Sequence, residues 1–177
     1  MSTSAITMTV TREARFAAFV ETHRERTVGL AWRLLGGDRA AAEDVAQQAF
    51  LAAWRALPRF RDESTLSTWL HRIVVRQARS HQRWTNVRRR LGWKAADPVV
   101  ADPAPRGDHG LRRRIAEALM SLSAGQREAF VLVHMEGMTV TEAAETLSRA
   151  PGTIKSHLHR ALKALRAELG DLREEGQ

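Results

Sequence analysis

In the stretch "PGTIKSHLHRALKAL", Pro151 to Leu165, the side chains able to do chemistry are Lys155, Ser156, His159, Arg160 and Lys163. Ile154, Leu158, Ala161, Leu162 and Leu165 recur at helical spacing as one apolar stripe, and the polar set falls outside it. Arginine can pair bidentately with guanine, lysine can bind guanine or phosphate, and serine or histidine can do either more weakly. A plain solvated basic face has the same pattern, so the decision rests on what precedes the helix. Thr139-x-x-Glu142 reads as a capping box, and it opens a short helix bearing Val140, Ala143, Ala144 and Leu147. A tight turn, "SRA", leads to Pro151, and proline is well tolerated at a first helical position. Two helices joined by such a turn form a helix-turn-helix, whose second helix enters the major groove with its N-terminal residues toward base edges.

A second set lies upstream. From Arg72 to Arg90 there are seven arginines and no acid. Arg72, Arg76, Arg79 and Arg83 share one side of a helix whose other side carries Leu66, Trp69, Leu70, Ile73, Val74 and Ala78. Trp84 and Trp93 are interleaved with the later arginines. Cationic side chains neutralise phosphates and aromatics stack on bases, so the run suits nucleic acid; the alternative is that the two tryptophans only pack under the following segment.

A third set has no charge run. Asp44, Gln47, Gln48 and Leu51 lie together on the helix "AEDVAQQAFLAAW", opposite a core stripe that includes Phe50. A leucine among polar residues suits a protein-docking patch, and a plain solvent face remains the alternative. Catalysis finds no footing: adjacent Glu43 and Asp44 diverge on a helix and cannot serve one site. The seven histidines give no metal signature, His157 and His159 diverge, and there is no phosphate-cradling glycine loop or nucleophile elbow. No cofactor, metal or small-molecule substrate is expected.

The elements that must position these residues are all helices. Phe16, Phe19, Val20, Leu30, Ala31, Leu34 and Leu35 suit one broken or two consecutive helices, ended by Gly36-Gly37. Asp38 is a good N-cap for the next, whose stripe is Ala42, Val45, Ala46, Ala49, Phe50, Ala53, Trp54 and Leu57 and which Pro58 ends. Gly92–Gly110 holds three of the five prolines and reads as a linker. Beyond it, Ile115, Leu119 and Leu122 suit one helix, and Phe130, Val131, Val133 and a core-edge His134 another, stopped by Gly137. The fold class is therefore all-α, two small helical domains at about 10–91 and 111–172, after a lead without structure.

Charge agrees with a polyanionic partner. The 177 residues carry a formal net charge of +8 and a pI of about 11.3. The excess sits in residues 1–91, with sixteen arginines against eight acids, while 111–177 is nearly balanced at ten against nine. There is no cysteine, no apolar run of membrane-spanning length and no signal-peptide pattern at the N-terminus, which fits a cytoplasmic protein.

The order "LGGDRAAAEDVAQQAFLAAWRALPRFRDESTLSTWLHRI", a proline-bearing linker, then "ALMSLSAGQREAFVLVHMEGMTVTEAAETLSRAPGTIKSHLHRALKAL" resembles a bacterial RNA polymerase sigma factor of the extracytoplasmic-function (group 4) type. The resemblance implies a lead at 1–11, sigma domain 2 at 12–91, a flexible linker at 92–110, sigma domain 4 at 111–172 and a tail at 173–177. It implies a promoter-specificity subunit without catalysis of its own, which binds core RNA polymerase through the β′ clamp and the β flap, and promoter DNA. An anti-sigma factor is a further implied partner. Asp44, Gln47, Gln48, Phe50 and Leu51 would belong to the polymerase-docking helix. The loop Phe60, Arg61, Asp62, Glu63 and Ser64 would capture a flipped base of the −10 element, with Trp69, Arg72, Arg76, Arg79 and Arg83 on the helix after it. Arg149, Thr153, Lys155, Ser156, His157, His159, Arg160 and Lys163 would face the −35 element. The chain departs from the family pattern at Arg76 and Ser80, where Asn and Asp are usual, at His157, where Arg is usual, and at Ser123, which replaces a common proline. A one-component regulator with a similar helix-turn-helix would need a sensor domain, and a protein-only adaptor would leave the arginine run without a purpose.

Overall fold

The computed structural model describes residues 2–60, 65–92 and 109–174, with side chains described within 13–60, 65–92 and 113–168 and at Gly110. Seven α-helices are described: α1 (Ser2–Leu35), α2 (Arg39–Ala56), α3 (Leu66–Arg90), α4 (His109–Ser121), α5 (Ala124–Phe130), α6 (Val140–Leu147) and α7 (Pro151–Glu174). A 3-10 turn, Leu57–Arg59, follows α2, and a π-helical turn, Val131–Met135, follows α5. No strand occurs among the described residues.

The first half is a three-helix unit. Leu30, Ala31 and Leu34 of α1 pack with Ala42, Val45, Ala46, Ala49 and Ala53 of α2 and with Leu70, Ile73, Val74 and Ala78 of α3. The alanines of α2 are buried with almost no side chain to separate the backbones, so α1 and α3 can lie close against it. The lead expected to lack structure is instead helical: α1 begins at Ser2 and runs unbroken to Leu35, one helix rather than two. Nothing between Thr3 and Val28 breaks a helix, since the first glycine is Gly29 and no proline precedes Pro58.

Chain reversal after α1 depends on Gly36 and Gly37, whose φ values of 75° and 100° are open to glycine and strained for other residues. Asp38 then caps α2, its carboxylate accepting from the Ala41 N–H at 2.9 Å. Thr65 caps α3 in the same way, through Thr68. Residues 61–64 lie outside the described residues, as do 93–108, which hold most of the expected linker.

The second half packs α4 to α7 around Leu119, Leu122, Ala129, Leu132, Ala144, Leu147, Ile154, Leu158, Ala161 and Leu165. Buried Arg127 donates from Nη1 to the Leu119 carbonyl at 3.2 Å, satisfying an acceptor near the end of α4. Ser123 and Gln126 form one capping box, and Thr139 and Glu142 form the other. Hydrogen bonds from the Thr139 N–H and hydroxyl hold the Glu142 carboxyl below its ordinary value. Gly137 ends the α5 path, as expected, although its last turn is π rather than α. His134, expected at a core edge, is exposed and sets its ring 5.1 Å from that of Phe130.

The two halves touch. A Cβ on Gly37 would come within 2.8 Å of the Ala116 Cβ on α4, and one on Gly36 would run into Met120 of the same helix. The turn between α1 and α2 is thus also the seat of α4. Replacing Asp38 with Ala removes the α2 cap and is expected to lower the stability of the chain by about 1 kcal/mol in chemical denaturation.

Candidate nucleic-acid interface

The helix-turn-helix is built as its residue types require. Ser148 ends α6 with φ 51° and ψ 51°, a left-handed conformation, and the Arg149 N–H bonds back to the Ala144 carbonyl at 2.9 Å. Two residues later Pro151 starts α7. Ile154, Leu158, Ala161 and Leu165 are buried, so the helix is fixed in rotation about its axis. That leaves Lys155, Ser156, His159, Arg160 and Lys163 exposed on one continuous surface, with Arg149 exposed in the turn and Thr153 half-buried beside it. Ser156 turns its hydroxyl back to the Gly152 carbonyl at 3.0 Å. His157 stands apart from the group: it is half-buried, its ring lies against Gly125 of α5, and its Nδ1 is buried without a hydrogen-bond partner.

The arginines of α3 are divided. Arg76 and Arg83 are exposed. Arg79 is held by Glu128 of α5 through a bidentate pair, Nε to Oε1 and Nη2 to Oε2, both 2.7 Å, and its Nη1 reaches the Leu147 carbonyl at 3.4 Å. Hydrogen bonding to Glu128 raises the pKa of this guanidinium despite the opposing effect of burial. Arg72 pairs with Glu145 of α6 at 2.8 Å. Trp84 is 68% exposed, with exposed Val87 and Leu91 beyond it, so it does not pack into the core; Trp93 lies outside the described residues. Trp69 is half-buried and stacks at a tilt on Phe60, with ring centroids 5.0 Å apart, joining the start of α3 to the loop before it. Arg61, Asp62, Glu63 and Ser64 of that loop lie outside the described residues.

On the far side of the first half, α1 and α2 enclose a groove. Phe16, Val20, Val28, Phe50, Leu51 and Trp54 supply its apolar lining, and Arg24, Glu43, Asp44 and Gln47 its polar edge. Leu51 is 42% exposed, while Phe50 reaches the groove from the core side. Gln48 is exposed on the same helix and does not line the groove.

Sequence reasoning missed the acids and cations that join the halves. Glu136, after the π turn, is buried between them, with 1% of its side chain exposed. Arg26 Nε reaches its Oε2 at 3.1 Å, Arg33 Nη2 pairs with Oε1, and His71 Nε2 faces Oε2 at 3.6 Å. The available signal was the contrast between an arginine-rich first half and the acids spaced through the second. Among the described residues no cluster of histidines and carboxylates could hold a metal ion, and no helix is long and apolar enough to cross a membrane.

Comparison with known proteins identifies both halves. Residues 19–87 match the family described as sigma-70 region 2, and residues 112–165 match sigma-70, region 4. The fold and its surfaces therefore define a sigma-70-type transcription factor. Relatives narrow the class. The chain is 34% identical over 162 residues to the ECF RNA polymerase sigma factor SigK of Mycobacterium tuberculosis (strain ATCC 25618 / H37Rv), covering 87% of this chain and 85% of the relative. It is 35% identical over 163 residues to SigK of Mycolicibacterium vanbaalenii, covering 88% and 82%. Among solved structures it is similar to the sigma factor RpoE in complex with the anti-sigma factor NepR from Bartonella quintana, with a TM-score of 0.75, 29% identity and coverage of 88% of this chain and 97% of that one. It is also similar to CnrH in complex with the cytosolic domain of CnrY, at a TM-score of 0.67, 27% identity and 90% coverage of each. The chain belongs to the extracytoplasmic-function RNA polymerase sigma factors, whose work is promoter recognition and transcription initiation.

Burial lowers the His71 pKa; Glu136 opposes the shift, and Arg26, His23 and Arg33 reinforce it. An unfolded histidine takes up its proton near pH 6.5, at about the ordinary value, and the folded one only below that. Below that pH the unfolded state binds more protons, so stability is lost as pH falls. Urea denaturation across this range should give a steeper loss for the wild type than for His71→Gln, and equal slopes would mean that folding leaves this imidazole unshifted.

Proposed function

We propose that the first half, residues 12–91, is sigma domain 2, and that it docks on core RNA polymerase and handles the −10 element. The second half, residues 111–172, is sigma domain 4 and reads the −35 element. The observation that carries this reading is the exposed face of α7, where Lys155, Ser156, His159, Arg160 and Lys163 stand clear of the core behind a left-handed turn. A helix presented in this way fits the major groove, and its first three turns carry Lys155, Ser156, His159 and Arg160, the side chains able to bond base edges. Arg149, exposed in the turn, and Thr153, beside it at the start of α7, suit contacts to phosphate. His157 serves the packing of α7 on α5 rather than base contact.

The groove between α1 and α2 suits a helical partner. An apolar floor with a polar rim is the usual anatomy of a protein interface, and Phe50, Leu51, Asp44 and Gln47 supply both. The partner is the clamp of core polymerase, with Gln48 at the periphery and the flap of the β subunit engaging domain 4. Exposed Arg76, Arg83 and Trp84 suit phosphate neutralisation and stacking as the −10 duplex opens. Arg61, Asp62, Glu63 and Ser64, which follow Phe60 in sequence, take the flipped base, and the Phe60–Trp69 ring pair suits stacking beside it. The two structural relatives are in complex with anti-sigma factors, and an anti-sigma protein is a fitting partner here as well. No step of catalysis is assigned to the chain.

Run-off transcription with purified bacterial core polymerase on genomic fragments tests the reading as a whole. Promoter-dependent products are expected, and their absence from every fragment would count against it. Asp44→Ala with Gln47→Ala changes two exposed side chains. The pair should weaken polymerase binding in pull-down titrations while leaving specific DNA binding by the full chain unchanged. Arg160→Ala should cost about 1–3 kcal/mol on the −35 sequence, measured by fluorescence anisotropy. An equal loss on random DNA would reduce Arg160 to a phosphate contact.

A further inference from the structure

Gly125 stands at the second position of α5, where alanine is the better helix former. Its φ is not positive, so the backbone does not require glycine there. What the missing side chain provides is room. A Cβ at this point would lie 3.0 Å from Cε1 of His157 and 3.1 Å from Nε2, closer than packed atoms ordinarily stand. The imidazole takes the space at a polar cost, because its Nδ1 is buried without a hydrogen-bond partner. A weak helix former on one side and an unsatisfied nitrogen on the other thus meet at a single contact. Local rules are broken in this way where function asks for it.

The place of that contact on α7 gives it a task. His157 lies three residues after buried Ile154 and four before buried Ala161, at the edge of the stripe that packs on α5 and α6. Three residues further on is exposed Arg160, with Lys155, Ser156 and His159 on the open side. The ring therefore stands on the border between the packed face and the reading face. The start of α7 is tied to α6 by the left-handed turn at Ser148, and α5 is tied to α4 by the bond from Arg127 to the Leu119 carbonyl. Between these fixed points, Ile154 and Leu158 set the rotation of α7. The ring on Gly125 sets how far the end of its second turn stands from α5.

We propose that His157, seated on Gly125, is a positioning residue for −35 discrimination: it fixes the tilt of α7, and with it which base edges Lys155, Ser156, His159 and Arg160 meet together. The proposal rests on the reading of α7 as the −35 helix. Hydrogen bonds to base edges weaken steeply once distance and angle leave their narrow range. Phosphate contacts are made by long side chains through charge, so they follow a displaced helix and lose little. A change of tilt is therefore read as lost discrimination with general affinity for DNA kept.

The test uses the full chain and two duplexes at fixed salt, one carrying the −35 sequence recovered from the run-off products and one of random sequence. Fluorescence anisotropy gives both affinities, and a thermal melt of each variant accompanies them. Gly125→Ala favours α5 as a helix but puts a methyl group where the ring stands. It should lower the ratio of −35 to random affinity about five- to tenfold, the lower end of what one mismatched base pair costs, with random affinity kept. His157→Ala should lower the ratio as well. Adding Gly125→Ala to it should cost nothing more, since the methyl group then meets no ring. Duplexes changed one base pair at a time separate positioning from contact, because a tilted helix loses preference at several positions together. Loss at a single base pair in His157→Ala, with Gly125→Ala silent, would make His157 a base reader and overturn the proposal. Equal losses on both duplexes, an unchanged ratio in every variant, or the same effect of Gly125→Ala with and without the ring would overturn it too. A wild-type chain with no preference between the duplexes would instead remove the −35 reading of α7, and the positioning role with it.

Discussion

A carboxylate with 1% of its side chain exposed cannot lie between two protein surfaces unless cations come with it, and Glu136 is such a group. Removing it from water costs several kcal/mol. That cost is offset only because α1 presents Arg26 and Arg33 on one face, two turns apart, at the place where the π turn delivers the acid. The requirement fixes more than one bond. It sets the second half against α1, which places α6 over α3 and brings Glu145 and Glu128 to Arg72 and Arg79. Hydrophobic packing builds each half, and ion pairing together with the close fit of Gly36 and Gly37 against α4 brings the two halves together.

This division explains what could be read from the sequence. Periodic apolar stripes and caps are local, and they placed α2, α3, α6 and α7 with the caps at Asp38 and Thr139 and the start at Pro151. The helix-turn-helix was legible because its turn, cap and stripe all act within thirty residues of one another. The continuity of α1 was not, because its first turns carry mixed polar residues with no apolar stripe to announce them. The partners of Arg72 and Arg79 were not legible either, since Glu145 and Glu128 lie 73 and 49 positions away. A charge run shows that anions are wanted, but leaves open whether they come from a nucleic acid or from the same chain.

His157 illustrates a finer limit. Helical spacing puts it next to the base-reading set, and only its contact with Gly125 separates it from them. A glycine at that point of α5 leaves room for an imidazole, so a side chain on α7 sets the spacing between two helices. In the proposed reading this frees its neighbours. Lys155, Ser156, His159 and Arg160 touch no core, and each can change without altering how α7 is held.

Gly36 and Gly37 carry a consequence for recombination between relatives. They end α1 through positive φ values, and they also face Ala116 and Met120 of α4. The two halves are thus matched in shape as well as in charge. A hybrid chain that took its second half from another family member would close in this way only where the incoming helix carries a side chain no larger than alanine opposite Gly37, and one flexible enough to lie over Gly36. Compatibility between halves is a property of two small patches, and overall sequence similarity is a poor guide to it.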